Sequence, residues 1–283
     1  MSKKNIGDYE VIITKNDKIN ENYFLLAISR PQNFNILAGQ FVNIKIEPQS
    51  IQPFLRRPFS VFYMDNFEIG ILYQVKGEGT KLLSTKKVGT KLKMIGPLGN
   101  NFPLDDSFMQ KVDGIFLVAG GIGIAPLFYY ANKVKENYEY LDINLIYGMK
   151  DESFLLPDDY IKYYFSTIYF TVENRLLQED EIYAGCNCKF FQGNVITALN
   201  SIEFNNLVKK YKNPVFFLCG PNPMLKSFIE WNKEKLYETY LSLESFMGCG
   251  FHACLGCAIS KENGGYLYLC EEGPVVYYKD IKL

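Results

Sequence analysis

Short apolar segments alternate with turn residues over roughly the first hundred positions. The segments read Y-E-V-I-I-T, Y-F-L-L-A-I, F-V-N-I-K-I and F-E-I-G-I-L-Y-Q-V, and they are rich in aromatic and β-branched residues. Gly, Pro and Asn separate them at regular intervals. Short strands with frequent turns are typical of antiparallel architectures, so this pattern predicts a barrel or a sandwich.

The pattern changes near residue 106. A continuous apolar run, I-F-L-V-A at 115–119, has the character of a strand that is covered on both faces. A glycine-rich turn and the helix-like L-F-Y-Y-A-N-K-V-K-E follow it, and three further apolar strands read I-N-L-I-Y-G, I-Y-F-T-V and V-F-F-L-C-G. This alternation predicts a parallel sheet with helices on both sides.

From about residue 241 the chain is rich in Gly and Cys and is too short to build an apolar core of its own. Something else has to organise this segment. The 283 residues are enough for two domains, or for two domains and a small appendage.

Composition narrows the functional classes. The chain is 48% hydrophobic and 22% charged, as in ordinary soluble proteins, and its net charge of -1 gives no reason to expect nucleic acid or an anionic membrane as a partner. The first residues lack the apolar stretch of a signal peptide, and no apolar run is long enough to span a bilayer. We therefore expect a cytoplasmic protein, in which seven cysteines indicate metal or redox chemistry rather than disulfides.

Four of the cysteines have the spacing C-x4-C-x2-C-x12-C, which opens like a plant-type [2Fe–2S] site. Neighbouring glycines allow the backbone to curl around a cluster and to point amides at the sulfurs. Zinc is the alternative, but structural sites with four cysteines usually contain two C-x-x-C pairs. A Rieske centre needs two histidines, and His252 is the only one. Cys186 and Cys188 are interpreted as thiols without a metal.

Two further regions have the residues of nucleotide sites. G-G-I-G-I-A-P-L at 120–127 follows a strand and opens a helix, where backbone amides favour a pyrophosphate. In the first domain, Arg57 together with Gly79 and Thr80 could clamp a diphosphate, and Ser60 could hydrogen-bond a flavin ring. Each stretch alone could be a plain turn. A flavin would pass electrons between a two-electron hydride donor and a one-electron cluster.

The motifs R-P-F-S, G-E-G-T, G-P-L-G-N, G-G-I-G-I-A-P-L, C-G-P-x-P-M and the cysteine pattern occur in that order. In this respect the chain resembles the ferredoxin reductase superfamily and, within it, the electron-transfer subunits of type B dihydroorotate dehydrogenases. The resemblance implies an N-terminal FAD-binding β-barrel over 1–105, a Rossmann-like NAD-binding α/β domain over 106–240 and a small [2Fe–2S] module over 241–283.

The resemblance also implies a function and a partner. A separate FMN-containing subunit oxidises dihydroorotate in pyrimidine (UMP) biosynthesis, and electrons pass through the [2Fe–2S] cluster of this chain to FAD and on to NAD+. Two subunits of each kind would form a heterotetramer. The cluster would lie near the C-terminus because it has to face another protein.

Site residues follow from the same motifs. The implied cofactor-binding residues are Arg57, Pro58, Phe59, Ser60, Leu72, Tyr73, Gln74, Gly79 and Thr80 for FAD, and Gly121, Gly123, Cys219, Gly220 and Pro221 for NAD. The implied cluster ligands are Cys249, Cys254, Cys257 and Cys270. Among these residues, we expect Ser60 and Cys219 to be the catalytic ones.

Some positions depart from the family pattern. Phe251 and His252 stand where the family often has an aliphatic residue and Gly, and the segment 173–189 lacks the usual acidic-Gly turn, which leaves the adenosine contacts open. Beside Lys150, the carboxylates of Asp151 and Glu152 would repel a 2′-phosphate, so NAD is expected rather than NADP.

The sequence features bear on three rival functions. One is the small subunit of an electron-bifurcating NADH-dependent ferredoxin:NADP oxidoreductase or a sulfide dehydrogenase, of which the bifurcating subunit tends to use Asp as one cluster ligand. Another is a zinc-stabilised interaction module. A hydrolase is disfavoured, because the only histidine lies inside the cysteine loop.

Overall fold

The computed structural model describes residues 6–49, 52–161, 163–174 and 187–283. The chain forms two compact units, of which the first joins Met1–Phe102 to Leu243–Lys282. The second unit spans Pro103–Ser242 and includes Leu283. The division into three parts that the sequence suggested stays a prediction.

Seven strands of the first unit form one antiparallel sheet: β1 (Gly7–Lys18), β2 (Tyr23–Ser29), β3 (Phe41–Lys45), β4 (Arg57–Ser60), β5 (Tyr63–Met64), β6 (Glu68–Gln74) and β7 (Lys91–Leu98). Their order is β4-β3-β7-β1-β2-β6-β5. β1 pairs with β7 through its first half and with β2 through its second, and the register shifts between Ile13 and Lys15. Such a bulge bends a strand, which lets the sheet curl.

The curl brings the edge strand β4 back towards β6. The rings of Phe59 on β4 and Tyr73 on β6 pack edge to face, with centroids 6.0 Å apart. One short helix, α1 (Glu78–Ser84), lies between β6 and β7. The strands that the sequence predicted in this region are therefore present, and they form a barrel-like sheet.

The C-terminal part of the first unit contains three short strands, β14 (Ala258–Ser260), β15 (Tyr266–Tyr268) and β16 (Val275–Tyr277). β14 and β15 pair as a small antiparallel ribbon. Several apolar side chains of this segment, among them Leu269, Val275 and Ile281, are buried. The segment packs with the barrel as part of the same unit, as its lack of a core requires.

The second unit has six parallel strands among its described residues: β8 (Gly114–Gly120), β9 (Ile143–Met149), β10 (Thr167–Val172), β11 (Cys188–Gln192), β12 (Pro214–Cys219) and β13 (Glu238–Ser242). Five helices accompany them: α2 (Asp106–Met109), α3 (Ile124–Asn137), α4 (Val195–Leu199), α5 (Ile202–Val208) and α6 (Asn222–Asn232). Every residue of β8, β10 and β12 is buried, as expected for a parallel sheet that is covered on both faces.

The strand order within this unit is β11-β10-β9-β8-β12-β13. The chain starts at β8, adds β9, β10 and β11 on one side, and then returns to place β12 and β13 on the other. The carboxyl ends of β8 and β12 therefore flank the point where the direction of winding reverses, and open α/β sheets bind ligands at such a point. No helix in the described part of the chain is long and apolar enough to cross a membrane.

Candidate functional site

The cysteine loop folds through backbone conformations that glycine favours. Gly250 has φ +81°, and a Cβ added to it would lie 2.5 Å from Nδ2 of Asn43. His252 and Leu255 adopt φ values of +62° and +56°, which are uncommon for residues with a side chain. The left-handed conformation of His252 is one that glycine adopts at lower cost.

Backbone amides of the loop point at the cysteine sulfurs. Sγ of Cys249 accepts from the N–H groups of Ala253 at 3.3 Å and of Cys254 at 3.4 Å. Sγ of Cys254 accepts from Cys249 and from Gly256, both at 3.5 Å. The loop thus surrounds the sulfurs with donors that stabilise thiolates, as the sequence predicted.

The other two cysteines lie deeper. Sγ of Cys270 accepts from the N–H of His252 at 3.1 Å, and Sγ of Cys257 accepts from the N–H of Cys270 at 3.5 Å. Both side chains are buried, whereas Cys254 is exposed. Backbone donors, first of them the N–H of Cys249, lower the pKa of Cys254 to about 7. Burial, and then the hydrogen bond with Cys257, raises the pKa of Cys270 to about 12.

The four thiols fall into two pairs. Cys249 and Cys254 share a side-chain hydrogen bond, and so do Cys257 and Cys270. Among the described residues, no set of three or more His, Cys, Asp or Glu side chains is arranged around a single metal position. A [2Fe–2S] cluster with four cysteines divides them between two irons. The paired thiols and the amide donors around them fit the way in which such a cluster divides its ligands.

His252 is held on the C-terminal side of the loop. Its Nδ1 lies 2.7 Å from Oε2 of Glu271, and its ring packs edge to face on Tyr268 with a centroid distance of 4.9 Å. The imidazole is therefore fixed by neighbours from the segment that supplies Cys270, while its backbone N–H serves that cysteine.

Two asparagines of the barrel hold the loop. Nδ2 of Asn43 on β3 donates to the Cys249 carbonyl at 3.1 Å. The Asn100 side chain donates to the carbonyls of Glu272 at 2.7 Å and Val275 at 2.6 Å, and accepts from the N–H of Val275 at 2.9 Å. The N–H of Gly99 donates to the Cys270 carbonyl at 3.1 Å. Sequence reasoning missed both asparagines, and the G-P-L-G-N motif was the only signal for the second.

The predicted diphosphate clamp is brought together by the structure. A Cβ added to Gly79 would lie 2.6 Å from Nε and 2.9 Å from Cζ of Arg57, so the guanidinium rests directly on this glycine. Nη1 of Arg57 donates to the Leu55 carbonyl. Oγ1 of Thr80 accepts from the N–H groups of Lys76 at 3.0 Å and Gly77 at 3.2 Å and closes the turn. Only glycine permits this approach of a cation to the first turn of α1.

The other predicted flavin residues differ in exposure. Ser60 and Gln74 are half-buried and Pro58 is exposed, while Phe59 and Leu72 are almost fully covered. Tyr73 is 2% exposed, its ring stacks on Phe24 at 5.5 Å, and its hydroxyl donates to Oδ1 of Asn16 at 3.0 Å. Burial raises the pKa of the Tyr73 hydroxyl, so it stays protonated. The Tyr73 side chain thus belongs to the core, so only the backbone of Tyr73 is left to contact a cofactor.

The predicted nucleotide residues meet at the switch point of the second unit. Cys219 pairs with Ala119 across β12 and β8. A Cβ added to Gly123 would lie 2.1 Å from the Cys219 carbonyl oxygen, and Gly121 adopts φ +53°. The glycine turn therefore packs against the end of β12 with no room for a side chain. Cys219 is 3% exposed, which limits its contact with a ligand.

The C-G-P-x-P-M motif forms the other side of the switch point. A Cβ added to Gly220 would lie 3.0 Å from Cα of Gly120, and Met224 packs against both glycines. Pro221 precedes the first turn of α6 in an extended conformation, and this turn presents backbone amides to the crevice. The sequence correctly identified which residues lie together here.

The end of β9 supplies the acidic residues. Oδ1 of Asp151 accepts from the N–H of Ser153 at 3.1 Å and caps a short turn over Glu152–Phe154. Lys150 precedes it and is exposed. Most of the segment 173–189, on which the adenosine contacts depended, lies outside the described residues.

The pair Cys186 and Cys188 gives one correction. Cys188 is disulfide-bonded rather than a free thiol. Our assumption of a reducing environment did not allow for this bond. Cys186 lies outside the described residues.

Comparison with known proteins agrees with this geometry. Residues 244–282 match the iron–sulfur cluster binding domain of dihydroorotate dehydrogenase B. The electron transfer subunit of dihydroorotate dehydrogenase B (NAD(+)) from Lysinibacillus sphaericus is 31% identical over 93% of this chain and 94% of its own length. The subunit of the same name from Fusobacterium nucleatum is 33% identical over 87% of this chain and 86% of its own.

Solved structures share the fold. An NADH-dependent reduced ferredoxin-NADP oxidoreductase chain superposes with a TM-score of 0.77 at 23% identity, covering 96% of this chain and 89% of the other. Ferredoxin-NADP+ reductase from Plasmodium falciparum gives 0.61 at 17% identity, over 83% and 96%. The predicted fold class and family are confirmed, and the matches support FAD, a [2Fe–2S] cluster and NAD as the cofactors. The chain belongs to the family of electron transfer subunits of NAD+-dependent dihydroorotate dehydrogenase B.

Proposed function

We propose that this chain carries electrons from an FMN-containing dihydroorotate dehydrogenase subunit, through a [2Fe–2S] cluster and FAD, to NAD+ in UMP biosynthesis. One observation supports this proposal most strongly. The cysteine loop and the barrel with its flavin motif belong to one compact unit, and hydrogen bonds from Asn43 and Asn100 join them. A one-electron centre and a flavin have to be close for electrons to pass between them.

Cys249, Cys254, Cys257 and Cys270 would hold the cluster. The amide donors around the sulfurs would offset the negative charge of four thiolates, and the covered positions of Cys257 and Cys270 would keep water from that side.

FAD would lie along β4 and β6. Arg57 would hold the diphosphate with its guanidinium against the Gly79 turn, and Ser60 would hydrogen-bond the flavin ring. When bound, the flavin exchanges two electrons with the nicotinamide and one with the cluster.

NAD would bind at the switch point of the second unit, with its diphosphate on the amides that follow Gly121 and Gly123. Cys219, Gly220 and Pro221 would line the nicotinamide end. Cys219 is nearly covered, and we assign it a role in shaping this end of the site. A catalytic role for Cys219 stays a prediction.

The relatives are named as electron transfer subunits, which implies a catalytic partner. We propose that this partner contains FMN, that the complex is a heterotetramer with two of each subunit, and that it is cytoplasmic.

Co-expression with an FMN-containing dihydroorotate dehydrogenase tests the whole proposal. We expect copurification, visible absorption from flavin and cluster, and reduction of NAD+ that depends on dihydroorotate. Cys249→Ser should abolish the cluster absorption and NAD+ reduction, whereas Cys188→Ser serves as the matched control and should retain both.

Three results would argue against this function. Zinc with no visible absorption would favour an interaction module. A cluster and FAD without dihydroorotate-dependent turnover, but with reduction of NADP+ in the presence of reduced ferredoxin and NADH, would favour the bifurcating relatives. Equal loss of the cluster in Cys188→Ser would refute the assignment of the ligands.

A further inference from the structure

A buried amide lies beneath the first arm of the cysteine loop. Asn43 is 0% exposed, its Nδ2 donates to the Cys249 carbonyl at 3.1 Å, and its Oδ1 has no hydrogen-bond partner in the described part of the chain. Asn43 lies on β3, directly opposite Pro58 in the strand that bears the flavin motif. This residue therefore connects the strand beside the predicted flavin site with the first cluster ligand.

A polar side chain at this position is costly for folding. Its strand neighbours Val42 and Ile44 are apolar and fully buried. Leaving one polar atom of a buried amide unpaired costs on the order of 1–3 kcal/mol, more than one hydrogen bond to a carbonyl is worth. An apolar residue of similar size would serve the packing better, so the value of Asn43 has to come from the bond that it makes.

That bond sets the orientation of one peptide. In a planar trans peptide, the C=O and the N–H of the next residue point in opposite directions. With the Cys249 carbonyl held on Asn43, the N–H of Gly250 is turned away from the barrel strand. Gly250 has φ +81° and no room for a Cβ beside Asn43. The plane of the Cys249–Gly250 peptide is therefore fixed. This peptide leads into residues 252–254, whose backbone amides donate to the cysteine sulfurs.

We propose that Asn43 is a positioning residue that sets the reduction potential of the cluster, by fixing the Cys249–Gly250 peptide and with it the amide donors that face the sulfurs. N–H groups directed at sulfur favour the reduced cluster, because they offset its additional negative charge. This inference rests on the cluster assignment in the proposed function.

Asn43→Leu tests the inference, and the chain offers a matched control. Asn144 on β9 is also 0% exposed with an unpartnered Oδ1, and its Nδ2 contacts at 3.5 Å are weak. Both variants replace a buried amide by an apolar side chain of similar size. The measurements are potentiometric titration of the cluster, its electron paramagnetic resonance spectrum in the reduced state, and thermal unfolding, all on the protein with both cofactors bound.

We expect Asn43→Leu to lower the midpoint potential. The ratio of reduced to oxidised cluster at a fixed solution potential should fall about tenfold, which corresponds to 59 mV for a one-electron couple. The spectrum of the reduced cluster should shift, because the hydrogen bonds to its sulfurs change. Asn144→Leu should leave potential and spectrum unchanged. Asn43→Ala, a smaller truncation, should shift both in the same direction and provides the data if the leucine variant does not fold.

Each result decides the matter. Loss of the cluster in both Asn43 variants, with FAD retained and Asn144→Leu unaffected, overturns the proposal, because Asn43 would then anchor the loop rather than tune the potential. An unchanged potential and spectrum in a folded Asn43 variant overturns it, even if the protein is less stable. If the wild-type protein itself contains no cluster, the proposed function fails first.

Discussion

Asn100→Ala should loosen the C-terminal segment that supplies Cys270. The side chain makes three hydrogen bonds to this segment, at 2.6 to 2.9 Å, and the bonds to Val275 are partly buried. Each such bond contributes about 1 kcal/mol net, and the exposed one contributes less because water replaces it. We therefore expect a loss of about 2 kcal/mol in the free energy of unfolding, and a fall in the melting temperature of about 5 °C for a chain of this size.

The adjacent Asn101 provides the control. Its side chain donates only to the carbonyl of Phe102, the next residue, at 2.7 Å, so Asn101→Ala removes an amide of the same size without touching the C-terminal segment. The assay is urea unfolding of the holoprotein, followed through both the visible absorption of the cluster and far-ultraviolet circular dichroism. Asn100→Ala should lower the urea midpoint of the visible signal, and Asn101→Ala should leave it near the wild-type value.

The comparison of the two signals tests the reasoning. If Asn100 anchors the cluster segment, the visible signal should be lost at a lower urea concentration than the helical signal of the second unit. Equal shifts in the two asparagine variants, or a visible transition that does not move in Asn100→Ala, would show that the three hydrogen bonds do not hold this segment.

Three further predictions concern the cofactor sites. Arg57→Ala should lose FAD during purification while the cluster remains. The control is Arg56→Ala, which should keep both cofactors, because the Arg56 guanidinium pairs instead with the carboxylate of Asp8 at 3.1 Å. Full FAD occupancy in Arg57→Ala would contradict the predicted role of Arg57. In the cluster-free protein at pH 8, iodoacetamide should modify Cys254 before Cys270, because the pKa of Cys254 is about 7 and that of Cys270 about 12. Mass spectrometry after short exposures gives the order of modification, and equal rates would refute this prediction. NADH should exceed NADPH in kcat/KM at least about tenfold, equivalent to ~1.4 kcal/mol. The reason is that the carboxylates of Asp151 and Glu152 would repel a 2′-phosphate, and equal values of kcat/KM would overturn this assignment.

The sequence predicted the architecture well because its signals were local. The all-buried strand β8 reads as a continuous apolar run. The turn after it requires glycine at position 123, because a Cβ added there would lie 2.1 Å from the Cys219 carbonyl oxygen. The contact of Arg57 with Gly79 was also predictable, but only because the two motifs were interpreted together, since each alone could be a plain turn.

The anchors of the loop were not predictable in the same way. Asn43 and Cys249 are 206 positions apart, and Asn100 and Val275 are 175 apart, so no spacing rule connects them. An asparagine between apolar strand residues gives no sign of its partner. The sequence also gives no sign that the hydroxyl of Tyr73 bonds to the half-buried Asn16, because the two residues are 57 positions apart.

The position of these anchors bears on how the cluster is acquired. A loop with so little apolar burial would be disordered as a free peptide, and a metal centre bound to it would have to supply the ordering free energy. Here Asn43 holds the arm with Cys249, while Gly99 and Asn100 hold the arm with Cys270. With both arms attached to a stable sheet, part of the entropy cost of gathering four thiols is offset when the barrel folds. A cluster would then bind to sulfurs that already lie in pairs, and under our proposal for Asn43 its potential would depend on the barrel strand that carries this residue.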